Sequence, residues 1–288
     1  MVSGLHDLSE SQNIRIREIL KKTELIDLES LSSDICRIEK SKKNLVLSII
    51  PDNQNAFVLK LFDSSGSLEN EMKIYTMRNE HIFYRGEGPH MTEYAIPKLI
   101  LGDHDYIITE YIQGENVMDL ITENMEGPWN PSFWEYLISI LFNWVINFSS
   151  VFKTVPLDCH VRNFLLKNMV LYGVDFEELG NHDEQTILKV FATMYFSIIG
   201  SYPGVIEGLE LHKNANIGII LLRLILLSPI FKEQSLQSVL MSFFENVEKE
   251  ASEVVQRRIK LQRGKKYDLS EIKKNVQTVL STIKSDFS

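Results

Sequence analysis

The chain has 288 residues, a length that suits one large domain or two smaller lobes. Hydrophobic residues make up 44% and charged residues 24%, with 14 glycines and 8 prolines; these proportions exclude wholesale disorder and a fibrous or low-complexity chain. The net charge is −9, and the acidic excess lies early: residues 1–150 hold 13 basic and 23 acidic side chains, residues 151–288 hold 17 and 16. That balance argues against a general nucleic-acid binder, because phosphate contacts need a basic face.

Two cysteines, Cys36 and Cys159, are too few for a disulfide scaffold, and cannot form a four-ligand zinc site without histidine. A reducing, cytoplasmic setting is the simplest expectation. The first residues carry no basic segment followed by an apolar one, so no secretion signal is expected. The longest apolar run, Ile217 to Phe231, is interrupted by Arg223 and Pro229. It falls short of the ~20 residues that span a bilayer, which predicts a buried core helix.

From Ser9 to Leu31 spaced apolar residues in a polar background predict one or two short amphipathic helices. Three β-like runs follow, Ile35–Ile38, Leu45–Ile50 and Ala56–Phe62. The turn chemistry of residues 51–55 makes the last two a hairpin. A helix is expected over Leu68–Arg78, capped by Ser67 with acids in its first turn. Ala95–Leu101 and Tyr106–Ile112 read as two more strands. After Gly114 the pattern turns helical: Asn130-Pro131 is a cap followed by proline at the first helical position, opening an aromatic-rich helix to about Phe152. Two short runs, Phe164–Leu166 and Val170–Val174, predict a hairpin, and nearly everything from Asp183 onward reads as helix. The expected organisation is an N-terminal helical extension (1–32), a small β lobe (33–113) and a helical lobe (114–288).

The residues that carry chemistry cluster in 155–178. Asp158 lies in a polar patch, Asn163 follows five positions later, and Asp175 ends the next β-like run. A loop offering a carboxylate and an amide, with a hairpin returning a second carboxylate, can build a Mg2+ site, since magnesium takes one or two hard oxygen ligands from protein and the rest from phosphate and water. The other carboxylate is left to accept the proton of an incoming hydroxyl. Upstream, Lys60 sits in the apolar strand AFVLKLF, where a lysine is costly unless paired. Glu71 or Glu69 on the next helix is the natural partner. An ordinary edge-strand lysine is the alternative reading.

In this order the residues resemble the protein-kinase-like superfamily: a lysine in the third strand (Lys60), an acid in the following helix (Glu71), a hinge-like Thr109-Glu-Tyr-Ile-Gln-Gly114, then D-x-x-x-x-N (Asp158, Asn163) and Asp175-Phe176-Glu177. The loop Asp158-Cys-His160-x-x-Asn163 is most similar to the D-x-H-x-x-N of the small-molecule branch, which includes the aminoglycoside and choline phosphotransferases and the lipopolysaccharide-core kinases. The resemblance implies an α+β, bilobal fold with a five-stranded antiparallel N-lobe, one key helix and a larger, mainly helical C-lobe. It implies ATP- and Mg2+-dependent phosphoryl transfer to a hydroxyl of a small molecule or glycolipid. Lys60, braced by Glu71, would hold the α- and β-phosphates. Glu110 and Ile112 would bond adenine through their backbone. Asn163 and Asp175 would hold Mg2+, and Asp158 would orient and deprotonate the acceptor. His160 either touches the γ-phosphate or bonds to the loop backbone.

The chain departs from the protein-kinase pattern. Pro156-Leu157 stands where H-R precedes the base, Glu177 replaces the glycine of D-F-G, and no A-P-E signature follows. The connection between the first two strands, Glu39-Lys-Ser-Lys-Lys-Asn44, contains no glycine. That keeps open a pseudokinase that binds nucleotide or a partner without turnover; an atypical protein kinase is a third reading. Cys159 lacks a neighbouring base and is not expected to be a nucleophile. The six basic residues within 257–266 are either a solvated helix end or a weak contact for an anionic surface.

Overall fold

The computed structural model describes residues 8–26, 35–39, 44–51, 55–77, 80–86, 92–200, 204–260 and 268–288. Helix α1 (Glu10–Thr23) is followed by strands β1 (Cys36–Glu39), β2 (Leu45–Ile49) and β3 (Phe57–Leu61). Then come α2 (Ser65–Thr76) and strands β4 (Ile82–Arg85), β5 (Glu93–Ala95), β6 (Leu99–Gly102), β7 (Tyr106–Glu110) and β8 (Glu115–Asn116). Helices α3 (Val117–Glu126) and α4 (Pro131–Phe152) lead into β9 (Thr154–Pro156), β10 (Phe164–Lys167), β11 (Val170–Gly173) and β12 (Leu179–Asn181). Helices α5 (Glu184–Ile199), α6 (Gly204–Glu207), α7 (Leu211–Leu227), α8 (Leu236–Lys260) and α9 (Leu269–Asp286) complete the chain.

Two compact units are present: Met1–His81 with Ile96–Gln113, and Ile82–Ala95 with Gly114–Ser288. The first is built on a five-stranded sheet of order β1-β2-β3-β7-β6, antiparallel throughout, as the resemblance implies. Ser9 and Gln12 form a reciprocal capping box that starts α1, which satisfies two backbone donors at once. The helix lays Ile16, Ile19 and Leu20 onto Leu47, Ile49, Leu59 and Ile108 of the sheet. Arg15 holds Asp105 through two nitrogens, with its shortest contact at 2.8 Å, and Lys22 reaches Asp103 at 2.6 Å.

In the second unit Asn130 caps α4, its side chain accepting from the Phe133 N–H at 3.3 Å, and Pro131 opens the helix, as expected. Alone among the described helices, α4 is long and apolar enough to cross a membrane. Its Trp134, Trp144 and Phe148 are buried in the unit's core. There Phe83 meets Trp144, Phe148 and Phe152 edge-on. Helix α7, covering most of the run Ile217–Phe231, buries Ile217, Leu221, Leu222 and Ile225, the core helix its composition predicts.

Four local expectations are corrected. The strand expected over Ala95–Leu101 is broken into β5 and β6 around Ile96-Pro97-Lys98, where Pro97 has no N–H to give a ladder. Helix α2 starts at Ser65, so Ser67 lies inside its first turn and does not cap it; Ser64 is the N-cap residue, without a side-chain cap bond, and no acid fills the first turn. Strand β11 ends at Gly173, two residues before Asp175. The later half holds more than one hairpin: β4-β5-β11-β10-β8 form a second five-stranded sheet, with β5 and β11 parallel, and β9 pairs with β12. The connection 40–43 and residues 261–267 of the basic strip lie outside the described residues.

Candidate functional site

In the first unit, strand β3 presents Lys60 and the inner face of α2 presents Glu71. Leu68, Glu71, Ile74 and Tyr75 recur at helical spacing and are buried together, so Glu71 faces inward while Glu69 is exposed. Lys60 and Glu71 form an ion pair with residue exposures of 7% and 1%. This settles which of the two glutamates is the partner. The Lys60 ammonium also lies 5.1 Å from the centre of the Phe62 ring, within cation–π range.

Glu110 and Ile112 stand where β7 ends. The Glu110 N–H donates to the Lys98 carbonyl at 2.9 Å, and the Lys98 N–H donates to Glu110 Oε1 at 2.9 Å. The carboxylate thus takes the donor that a continued ladder would give to the Glu110 carbonyl. The Tyr111 N–H donates to Ala56 O at 3.1 Å, so the chain is held on both sides of the residue pair predicted to meet adenine.

The second unit carries Asp158, His160, Asn163 and Asp175 on one loop and the strand exit beside it. Asp158 is exposed, while His160, Asn163 and Asp175 are half-buried. Asn163 Nδ2 donates to the Asp158 carbonyl at 2.9 Å, closing the loop on itself through the backbone. The Asn163 N–H donates to His160 O at 2.8 Å, and the Val174 N–H donates to Asn163 O at 2.9 Å. That last bond brings the strand leading to Asp175 beside Asn163. His160 caps the 3-10 turn Val161–Asn163, its Nδ1 accepting from the Arg162 N–H at 3.4 Å. The backbone role is therefore the one this geometry displays.

Asp175 has φ +70°, a left-handed conformation that aspartate tolerates better than most residues. The next residue, Phe176, stacks on Phe148 at 5.4 Å between ring centres and so anchors the strained position in the aromatic core. Gly173 matters here by its lack of a side chain: a Cβ would lie 2.2 Å from Trp144 Cζ2. Trp144 is itself fixed by donating to Ala95 O at 3.2 Å.

Sequence reasoning missed two supports of this loop. Ser197 of α5 accepts from the Val161 N–H at 3.0 Å and donates to Met194 O at 2.7 Å. Its only sequence signal is a hydroxyl inside an otherwise apolar helix face. Asn116 donates to Arg162 O at 2.9 Å, across a separation of 46 residues that no local pattern signals.

Cys159 is buried beside Asp158. Burial first, and then the Asp158 charge, push its thiol far above the ordinary range. Burial pushes the Cys36 thiol up to about 11. A thiolate is the reactive form, so neither cysteine suits nucleophilic chemistry. With a thiol-specific disulfide reagent at pH 8, the folded protein is expected to show no fast-reacting thiol and the denatured protein two. Rapid labelling of Cys159 in the folded chain would refute its burial.

No protein-family model and no curated protein sequence matches the chain. Among solved structures it is similar to amicoumacin kinase hAmiN in complex with AMP-PNP, Ca2+ and Ami, with a TM-score of 0.52 and 11% identity over 95% of this chain and 96% of that one. At that identity the likeness concerns the fold. The α+β architecture with a five-stranded antiparallel sheet that the resemblance implies is the one found, and the chain shares the fold of that structure.

Proposed function

We propose that this protein transfers the γ-phosphoryl group of ATP to a hydroxyl of a small molecule or glycolipid, in the cytoplasm, with Mg2+ bound. The observation that carries the reading is the buried ion pair of Lys60 with Glu71, on a strand and helix of a protein-kinase-like fold. An inward lysine fixed by a buried carboxylate is an expensive arrangement, and it pre-sets an ammonium for phosphate oxygens. The structural neighbour carries AMP-PNP, Ca2+ and Ami, in keeping with a nucleotide, a divalent ion and a small acceptor.

Phosphoryl transfer asks little covalent chemistry of a protein; positioning and charge neutralisation supply most of the rate. Lys60 would hold the α- and β-phosphates, while the Glu110 carbonyl and Ile112 N–H would meet the adenine edge. Asn163 and Asp175 offer hard oxygens of the kind Mg2+ prefers, and the ion would neutralise charge on the phosphates. The exposed Asp158 carboxylate would orient the acceptor hydroxyl and take its proton. The resemblance to the aminoglycoside and choline phosphotransferases rests on these residues, so the acceptor stays within the class of hydroxylated small molecules and glycolipids.

Thermal melting tests nucleotide binding. ATP with Mg2+ at one hundred times its dissociation constant is expected to stabilise the fold by about 2.7 kcal/mol. A melting temperature independent of ATP and Mg2+ would remove the site. A second reading, a pseudokinase, is favoured by the glycine-free connection 39–44, since side chains hinder close approach of backbone amides to phosphate. Stabilisation by ATP with no ATP consumption over a panel of hydroxylated metabolites would select it.

A further inference from the structure

The side chain of Asn116 bonds in two directions. As the N-cap of α3, its Oδ1 accepts from the Met118 N–H at 2.9 Å. Its Nδ2 donates to the Arg162 carbonyl at 2.9 Å. Serine, threonine or aspartate would cap the helix equally well. A carboxylate, however, has no proton to give a carbonyl, and a hydroxyl is shorter than a carboxamide; only an amide offers an acceptor and a separate donor at this reach. The cap alone does not call for asparagine.

The second bond falls at a telling place. Arg162 immediately precedes Asn163, and its carbonyl belongs to the peptide group whose N–H is that of Asn163. Strand β8 pairs with β10 just beyond, Asn116 opposite Leu165 and Glu115 opposite Leu166, and α3 packs against the 3-10 turn. From the other side Ser197 holds the Val161 N–H at 3.0 Å. The turn is thus pinned at the two residues that lead into Asn163.

We propose that Asn116 is a positioning residue for the metal-binding amide of Asn163, fixing the Arg162–Asn163 peptide plane while it caps α3. This rests on the reading of Asn163 as a Mg2+ ligand. Partners that orient a metal ligand are worth about 10–100-fold in metal affinity or activity, whereas loss of a purely structural contact would affect nucleotide binding with and without metal alike.

Asn116→Asp and Asn116→Ser separate the two roles, because both keep a good cap and both lose the amide donor. Calorimetric titration of each with ATP in excess Mg2+, and with ATP in EDTA, reads the metal-dependent part. The expected result is about a tenfold loss of Mg2+–ATP affinity, with metal-free ATP affinity within about twofold of wild type and a retained melting temperature. Wild-type Mg2+ enhancement in both variants would overturn the clamp and leave the phosphotransferase reading intact. Equal losses with and without Mg2+ would overturn it in favour of a structural role. A wild-type protein whose ATP affinity ignores Mg2+ would overturn the metal role of Asn163 and the clamp with it.

Discussion

Replacing Lys60 by alanine is expected to destabilise the protein by about 3–5 kcal/mol, because it strips a 1%-exposed carboxylate of its ammonium partner. From the sequence alone, the loss would be only the packing of the aliphatic stem and the fold would survive intact. Burial of Glu71 changes that expectation. Against a total stability of roughly 5–15 kcal/mol the single substitution is a severe one, and so is Glu71→Ala, which leaves the Lys60 ammonium buried. Replacing both partners by apolar residues of similar size, Lys60→Met with Glu71→Leu, removes both charges together, and such swaps are often neutral or stabilising. The double variant is therefore expected to melt near the wild type and to bind ATP much more weakly. Denaturant unfolding of the wild type, the two alanine variants and the double variant, alongside ATP titration, checks both halves. Full ATP affinity in the double variant would show that Lys60 is not the phosphate anchor.

How much of this was legible in the sequence depended on the range of the signal. The Asn130-Pro131 start of α4 and the apolar, β-branched runs of β2, β3 and β7 are local, because a cap or a strand is written in neighbouring residues. The order Lys60, Glu71, Asp158, Asn163, Asp175 was legible as well, though Glu69 and Glu71 were not distinguished. The choice between them follows from the phase of α2, which begins at Ser65 rather than after Ser67. Strand β4 was missed, and β5 was reached only at Ala95, for a physical reason: both are short, and β5 gains its place by parallel pairing with β11, far along the chain. Lys213 shows the same limit. Its local partner, Glu210 at 3.4 Å, is readable from the i,i+3 spacing, yet the buried ammonium also donates to Met125 O at 2.9 Å and Gly127 O at 2.8 Å, closing the C-terminal end of α3. A lysine can do this for a helix end, but only the tertiary fold brings it there.

The division of labour between Asp158 and Asp175 gives the other large effect. Asp158→Asn is expected to lower transfer by ~10²–10⁴-fold, the usual reach of general-base catalysis, and to spare Mg2+–ATP binding. The loop should keep its shape, because the bond from Asn163 goes to the backbone carbonyl of Asp158, which the substitution leaves in place. Asp175→Asn is expected to damage metal-dependent ATP binding and turnover together, since a neutral amide is a weaker partner for a divalent cation than a carboxylate. Its backbone should survive too: φ at Asp175 is +70°, and asparagine shares with aspartate a tolerance of the left-handed region. Alanine would confound the test there by adding conformational strain. The two amide variants are compared by ATP titration with and without Mg2+, and by ATP consumption with any hydroxylated acceptor that supports it. Full turnover in Asp158→Asn would remove the base assignment, because no proton acceptor would then be needed at that position. Undiminished Mg2+ dependence in Asp175→Asn would move the metal elsewhere. If ATP binds in every variant and none, including the wild type, consumes it, Asp158 has no proton to accept and the pseudokinase reading takes over.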